Sequence, residues 1–264
     1  MTIIAITLIT IGLGDVIRRR DRFAAMRIPV PALVFAFLFP VLLAWLVGLG
    51  TDQDWLVLYI GIATAMGWIT ASHRSTQRNA EHGLPLGILL GGLVLLALYG
   101  TQSPTGGVLG DWLDNSAMDG IRRLGSETLL VFMGAALIQM STGNVIVRHV
   151  LAHIGALRPE GEPQPADRLK GGRLLGPMER LFILGLGLAG QVTAAGLVIA
   201  AKGLIRFPEL QAQARADADG HIDLSKPRTA SQGPGIDELT EYFLIGSFVS
   251  WLVALSTLAL VWLG

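Results

Sequence analysis

Residues 28–51 read IPVPALVFAFLFPVLLAWLVGLGT, a run without a single Asp, Glu, Lys or Arg. A helix needs about 20 mostly apolar residues to cross the hydrocarbon core of a bilayer, and this run is longer than that. Because backbone polar groups inside lipid must be satisfied internally, the run predicts a helix and not a strand. The remaining charge-free runs are Met1–Gly14, Trp55–His73, His82–Gly110, Thr128–Val147, Leu181–Ala201 and Tyr242–Gly264. The sequence therefore predicts an all-α, polytopic membrane protein with about seven transmembrane helices.

The composition supports this class. Hydrophobic residues make up 52% of the chain and charged residues 15%, whereas soluble domains carry about 25% charged residues. The composition therefore disfavours an ordinary soluble enzyme and excludes a disordered chain. Lys and Arg together number 20, as do Asp and Glu, so no net charge attracts nucleic acid. The chain has no Cys, so it has no disulfide, no thiolate nucleophile and no Cys metal site.

The distribution of basic residues predicts the orientation. The arginines of residues 18–27 follow the first run, which places the N terminus outside and these arginines inside. The first run reaches membrane length only if it continues to Ile17, with Asp15 near the interface. Seven crossings then place the C terminus inside, in a single integral membrane domain covering 1–264. Its main hydrophilic loops are 148–180, inside, and 202–241, outside.

The loop 202–241 conflicts with this orientation, because an outside loop should be poor in basic residues. Its basic residues are Lys202, Arg206, Arg215, Lys226 and Arg228. Two explanations stay open. The loop is an exception to a statistical rule, or residues 181–201 form a re-entrant or broken helix that returns to the inside. Gly185, Gly187, Gly190 and Gly196 make a broken helix feasible if it is buried in protein.

Three motif-like strings do not support the chemistry that they resemble. Residues 185–190 match G-x-G-x-x-G but lie inside an apolar run, not between a strand and a helix. Residues 217–223 resemble part of an EF-hand loop, but its first ligand and its bidentate Glu are missing. Asp111 and Asp114 lack the distal carboxylate pair of a CDP-alcohol phosphatidyltransferase motif. We therefore expect no cofactor.

His149 and His153 are one helical turn apart, a spacing that suits metal ligands. No third ligand is evident near them. The pair also suits a helix C terminus at a cytoplasmic interface, where the helix dipole favours positive charge. The two histidines are therefore only weak candidates for a metal site.

Polar residues within or beside the apolar runs are costly in lipid and are the more informative candidates. We select as binding candidates Gln139, Asn144, Gln191, Lys202, Arg206 and Glu241. If the last two spans are antiparallel neighbours, Lys202 and Glu241 lie at the same membrane boundary. We therefore predict that Glu241 pairs with Lys202 or Arg206. The alternative is structural: basic side chains that reach the interface, and amides that bond between helices.

The C-terminal third contains a recognisable string. It begins with Glu179-Arg180 and continues with Gly190-Gln191, Gly196, Ala200-Ala201-Lys202 and Arg206-Phe207, followed by Glu241-Tyr242-Phe243-Leu244-Ile245-Gly246. This string resembles that of an uncharacterised family of bacterial integral membrane proteins, a domain of unknown function. The resemblance covers residues 179–250 and implies a membrane fold without an assigned activity.

Three classes of function remain compatible with the sequence. The first is a carrier or channel for an ion or small solute, with an anion favoured by Lys202 and Arg206. The second is a scaffold or accessory subunit that binds a protein partner or a second copy through Gly/Ala helix faces. The third, a lipid-modifying enzyme, would need Asp111, Asp114 or His149, but no catalytic constellation is complete. We favour the carrier, in a bacterial cytoplasmic membrane with the bilayer as its main partner.

Overall fold

The computed structural model describes residues 1–20, 28–100, 106–117, 119, 125–157, 172–219 and 236–263. Within these ranges the chain is helical and contains no strand, which confirms the predicted all-α class. The helices are α1 Thr2–Arg20, α2 Val30–Val47, α3 Asp52–Arg78, α4 Gly83–Tyr99, α5 Gly107–Asp114, α6 Ser126–Leu137, α7 Gly143–His153, α8 Gly172–Leu188, α9 Val192–Asp219 and α10 Ile236–Leu263. A π-helical turn, Ile138–Thr142, joins α6 to α7 without a break.

Four helical segments of the described chain are long and apolar enough to cross a membrane. They are Val30–Val47, Asp52–Arg78, Ser126–His153 and Thr240–Trp262. Two shorter apolar helices are Gly83–Tyr99 and Val192–Leu204. The chain is thus a helical protein with the segments expected of a membrane protein. Helix α1 is not among the four candidate spans; its last turns carry Asp15 and three arginines.

The chain divides into two compact units. Unit 1 comprises residues 1–146 and 259–264, and unit 2 comprises residues 147–258.

Helix α1 forms the centre of unit 1 and contacts α2, α3, α4 and α6. It is buried on nearly all sides, as expected for a helix that is apolar around its whole circumference. Its Thr7 and Thr10 hydroxyls donate to the carbonyls of Ile3 and Ile6, at 2.8 and 2.7 Å, so these polar groups are satisfied within the helix. A Cβ atom at Gly12 would lie 2.8 Å from Leu137 Cβ, so glycine permits the close approach of α6.

The predicted span 181–201 is not one helix. Helix α8 ends at Leu188, and α9 begins at Val192. Between them Gly190 adopts φ +73, and its N–H donates to the carbonyl of Gly187. The Gln191 N–H donates to the carbonyl of Leu186 at 2.8 Å. These two bonds form a Schellman motif, which ends a helix at a left-handed glycine. The uninterrupted span was therefore a wrong prediction: the helix is broken, whereas its return to the inside stays a prediction.

The two predicted hydrophilic loops are partly helical. Helix α7 continues to His153 and α8 begins at Gly172, so both ends of 148–180 are helical. Helix α9 continues to Asp219, well into 202–241. Charge ended these runs in the sequence analysis, but charge does not end a helix. The extension of α9 is rich in Ala, Gln and Arg, which favour helix in water as well as in lipid.

Candidate functional site

Helices α8 and α9 form an antiparallel hairpin with its tip at Gly190. Residues on opposite sides of the tip contact each other: Glu179 pairs with Lys202, and Ile183 packs in one cluster with Ala195, which is nearer the tip. The apolar parts of the two arms are residues 181–188 and 192–201. At 1.5 Å per residue these helices are roughly 12 and 15 Å long. Neither apolar arm alone reaches the thickness of a hydrocarbon core, about 30 Å.

The charged centre of unit 2 is an ion pair between the two arms of this hairpin. Lys202 Nζ lies 2.6 Å from Glu179 Oε2. The Glu179 side chain is 8% exposed and that of Lys202 is 22% exposed. Removing two charges from water is costly, and their mutual attraction offsets this cost only when the remaining bonds of the carboxylate are satisfied.

Helix α10 supplies the second bond of that carboxylate. Trp251 Nε1 donates to Glu179 Oε1 at 2.6 Å, so each carboxylate oxygen accepts one donor. The Lys202 ammonium also lies 5.9 Å from the centroid of the Trp251 ring and 6.0 Å from that of Phe243. Both distances are within the range of cation–π attraction. Glu179, Lys202, Phe243 and Trp251 together are called the hairpin site below.

Arg180 is buried beside the hairpin site. Its side chain is 1% exposed, and Nη1 donates to Ser250 Oγ at 2.9 Å. The pairs Glu179–Trp251 and Arg180–Ser250, with the approach of Gly187 to Leu258, show that α8 and α10 run parallel. Trp251 is the central residue of the candidate span Thr240–Trp262. The hairpin site therefore lies level with the middle of an apolar segment of membrane length.

The structure corrects the predicted partner of Lys202. Glu241 is exposed, and the lysine pairs with Glu179. In an uninterrupted helix Glu179 would lie about 35 Å from Lys202, at 1.5 Å per residue, and Glu241 would be the nearer acid. The break at Gly190 folds Glu179 back onto Lys202. The side chain of Arg206 lies outside the described residues, so the pairing predicted for it stays a prediction.

Unit 1 contains a second buried carboxylate, which is not among the predicted binding candidates. Asp15 is 0% exposed. Its Oδ1 lies 3.1 Å from Arg18 Nη2, and its Oδ2 accepts a hydrogen bond from Trp68 Nε1 at 3.1 Å. The available signal was the position of Asp15, four residues before a cluster of arginines and directly after an apolar run. We name Asp15, Arg18 and Trp68 the Asp15 cluster.

Two predicted candidates lie in unit 1, in or beside the π-helical turn. Gln139 is buried within this turn, and Asn144 is half-buried just after it. In the same turn the Ser141 hydroxyl lies 2.8 Å from the carbonyls of Gly12 and Leu137. Single π turns inside α-helices are frequent at functional sites. This turn fixes a polar residue against the centre of α1.

The other candidates have different positions. Gln191 is exposed at the hairpin tip, immediately before the first residue of α9, and is not part of the hairpin site. His149 is buried and His153 is exposed. No group of three metal-ligating residues occurs among the residues that the structure describes. Asp111 and Asp114 are both exposed on or beside α5.

Comparisons of the chain with family models, with curated proteins and with solved structures give no match.

Proposed function

We propose that the protein is a membrane carrier for a small charged solute and that the hairpin site binds this solute. The ion pair Glu179–Lys202 is the observation that carries the proposal. It joins two arms of a broken helix, and it lies level with the middle of a membrane-length segment. Ionisable residues at such depth are rare and mark ion or substrate pathways. Carriers commonly place their sites at interrupted helices near the bilayer midplane.

The hairpin also supports a revised topology. If 181–201 enters and leaves on one side, loops 148–180 and 202–241 lie on that same side. The basic residues of both loops are then inside, and the conflict with the positive-inside rule disappears. With the N terminus outside, six crossings remain: α1, α2, α3, α4, the α6–α7 pair and α10. The C terminus then lies outside, and not inside as seven crossings required.

The bacterial cytoplasmic membrane and the uncharacterised bacterial family remain part of this proposal. Both rest on the G-Q, A-A-K and E-Y-x-L-I-G strings, which include Lys202 of the hairpin site.

The proposal is tested with purified protein in proteoliposomes that carry radiolabelled methylammonium, acetate or phosphate as probes. We expect wild-type vesicles to release one of these ions faster than protein-free vesicles. Glu179→Gln should reduce this release to the protein-free rate. Glu241→Gln is the matched control, because Glu241 is an exposed carboxylate of the same unit. Equal release from wild-type, Glu179→Gln and protein-free vesicles for all three ions contradicts the proposal.

One observation favours a second function, a scaffold or a homo-oligomer. Gly196, Ala200 and Gly203 are exposed on one face of α9, and a Cβ added at either glycine would meet no atom within 4 Å. Small residues at this spacing let another helix approach closely in a membrane. Gly196→Leu should weaken such an assembly, measured by the molecular mass of the protein in detergent. An unchanged mass for Gly196→Leu contradicts this alternative.

A further inference from the structure

The surroundings of the Lys202 ammonium are those of a cation site. A carboxylate oxygen lies 2.6 Å from Nζ, and two aromatic rings lie 5.9 and 6.0 Å from it. A carboxylate combined with aromatic faces is the set of groups with which proteins bind ligand ammonium ions. The difference here is that the ammonium belongs to the protein itself.

The site does not need Lys202 to hold its shape. Glu179 is fixed through Oε1 by the Trp251 indole, which comes from α10 and not from α9. The core beside it, formed by Ile183, Ala195 and Ala254, joins α8, α9 and α10. Withdrawal of the ammonium therefore leaves the Glu179 carboxylate and the Trp251 ring held in place, with Phe243 on the same helix as Trp251.

Lys202 can leave this position. Its charge is carried on a flexible four-carbon stem, and its side chain is 22% exposed, against 8% for Glu179. The next two residues of α9, Gly203 and Leu204, are exposed, and a Cβ at Gly203 would meet no atom within 4 Å. Lys202 is therefore the more exposed partner of the ion pair, and the part of α9 that follows it is exposed.

We propose that Glu179, Phe243 and Trp251 bind an organic ammonium ion, such as a primary alkylamine, and that Lys202 occupies the site when this ligand is absent. The ammonium group of the ligand replaces that of Lys202, so the Glu179 carboxylate is neutralised both before and after the exchange. No covalent bond forms or breaks. An anionic solute fits this site less well, because the carboxylate already neutralises Lys202. The assignment of the ammonium ion as the transported solute rests on the proposed carrier function, whereas its binding does not.

The binding test uses Lys202→Ala, purified as the full chain in detergent, with n-propylammonium as the probe. We expect this variant to unfold at a lower temperature than wild type and to regain several degrees as the probe saturates. Sodium chloride at equal ionic strength should give no such recovery, and neither should the double variant Lys202→Ala/Glu179→Gln. If Lys202→Ala does not fold, Lys202→Met keeps the stem volume and replaces it in the same titration. No recovery beyond that given by sodium chloride overturns the proposal.

Release of methylammonium from wild-type proteoliposomes separates the two proposals. Recovery of the variant together with methylammonium release supports both. Recovery without release of any probe ion supports the ammonium site and contradicts the carrier. Release of acetate or phosphate without recovery supports the carrier and overturns the ammonium site.

Discussion

The two units each contain a buried carboxylate that accepts a hydrogen bond from a tryptophan indole and pairs with a basic side chain. In unit 1 the groups are Asp15, Trp68 and Arg18; in unit 2 the carboxylate is Glu179, with Trp251 and Lys202. In both, the helix with the carboxylate runs parallel to the helix with the tryptophan. For α1 and α3 this follows from the approach of Thr7 to Gly61 and of Gly14 to Ile69. The local chemistry of the two clusters is therefore the same.

The clusters differ in which helix carries the basic residue and in how exposed the side chain of that residue is. Arg18 lies one turn from Asp15 on the same helix, and its side chain is 13% exposed. Lys202 reaches Glu179 from the other arm of a hairpin and is 22% exposed. A base on the same helix stays near its carboxylate whatever the neighbouring helices do. A base on a separate arm can be exchanged for a ligand, which is why we assign binding to unit 2 and stability to unit 1.

The largest expected effect comes from Asp15→Asn. This change breaks the ion pair at its fully buried carboxylate and leaves Arg18, whose side chain is 13% exposed, without a partner charge; breaking a buried ion pair typically costs about 3–5 kcal/mol. Thermal unfolding in detergent measures the loss, with Asp111→Asn, an exposed carboxylate of the same unit, as the control. A stability equal to that of Asp111→Asn would show that the Asp15 cluster does not hold unit 1 together.

Glu179→Gln should cost less, about 1–3 kcal/mol, because Lys202 is 22% exposed and its flexible stem can move away when its partner is lost. The same assay, run beside Asp15→Asn, measures the difference between the two clusters. If Glu179→Gln loses as much stability as Asp15→Asn, or more, the ion pair of unit 2 is not the more easily exchanged of the two.

The tryptophans provide a finer comparison. Trp68→Phe and Trp251→Phe each keep an aromatic ring and remove the N–H donor. Loss of one hydrogen-bond donor to a buried carboxylate costs about 1–3 kcal/mol. We expect a value near the top of this range for Trp68→Phe, because Trp68 is 0% exposed. We expect a value near the bottom for Trp251→Phe, because Trp251 is half-buried. The two variants are compared by thermal unfolding. A larger loss at Trp251 would reverse the order that burial predicts.

A similarly small effect is expected at the hairpin tip. Gly190→Ala forces a side chain into φ +73 and should cost about 1–2 kcal/mol. Gly185→Ala is the matched control: it lies within α8, where a Cβ meets no atom within 4 Å, and it should be neutral or slightly stabilising. Equal stability of the two variants would argue against the Schellman turn.

The sequence was sufficient for the helical membrane class, because absence of charge over a membrane length has one main physical explanation. It also contained two signals for the break at Gly190. The run 181–201 holds three other glycines, and the loop 202–241 that follows it conflicts with the positive-inside rule if the run is a full span. The partner of Lys202 could not be chosen, because that choice depends on whether the run is one helix or two. Asp15 was overlooked as a site because the charge-free criterion placed it at an interface, whereas α1 continues past it to Arg20 and buries it.

If the α8–α9 hairpin enters and leaves the membrane on one side, loops 148–180 and 202–241 lie on that side, and labelling of intact cells can show this. The chain has no native Cys, so single Cys residues can be introduced by Ala218→Cys, Ala166→Cys and Asn115→Cys. A membrane-impermeant maleimide should label Asn115→Cys in intact cells, and Ala166→Cys and Ala218→Cys only after lysis. Labelling of Ala218→Cys in intact cells, with Ala166→Cys protected, would place 202–241 outside and contradict the re-entrant hairpin.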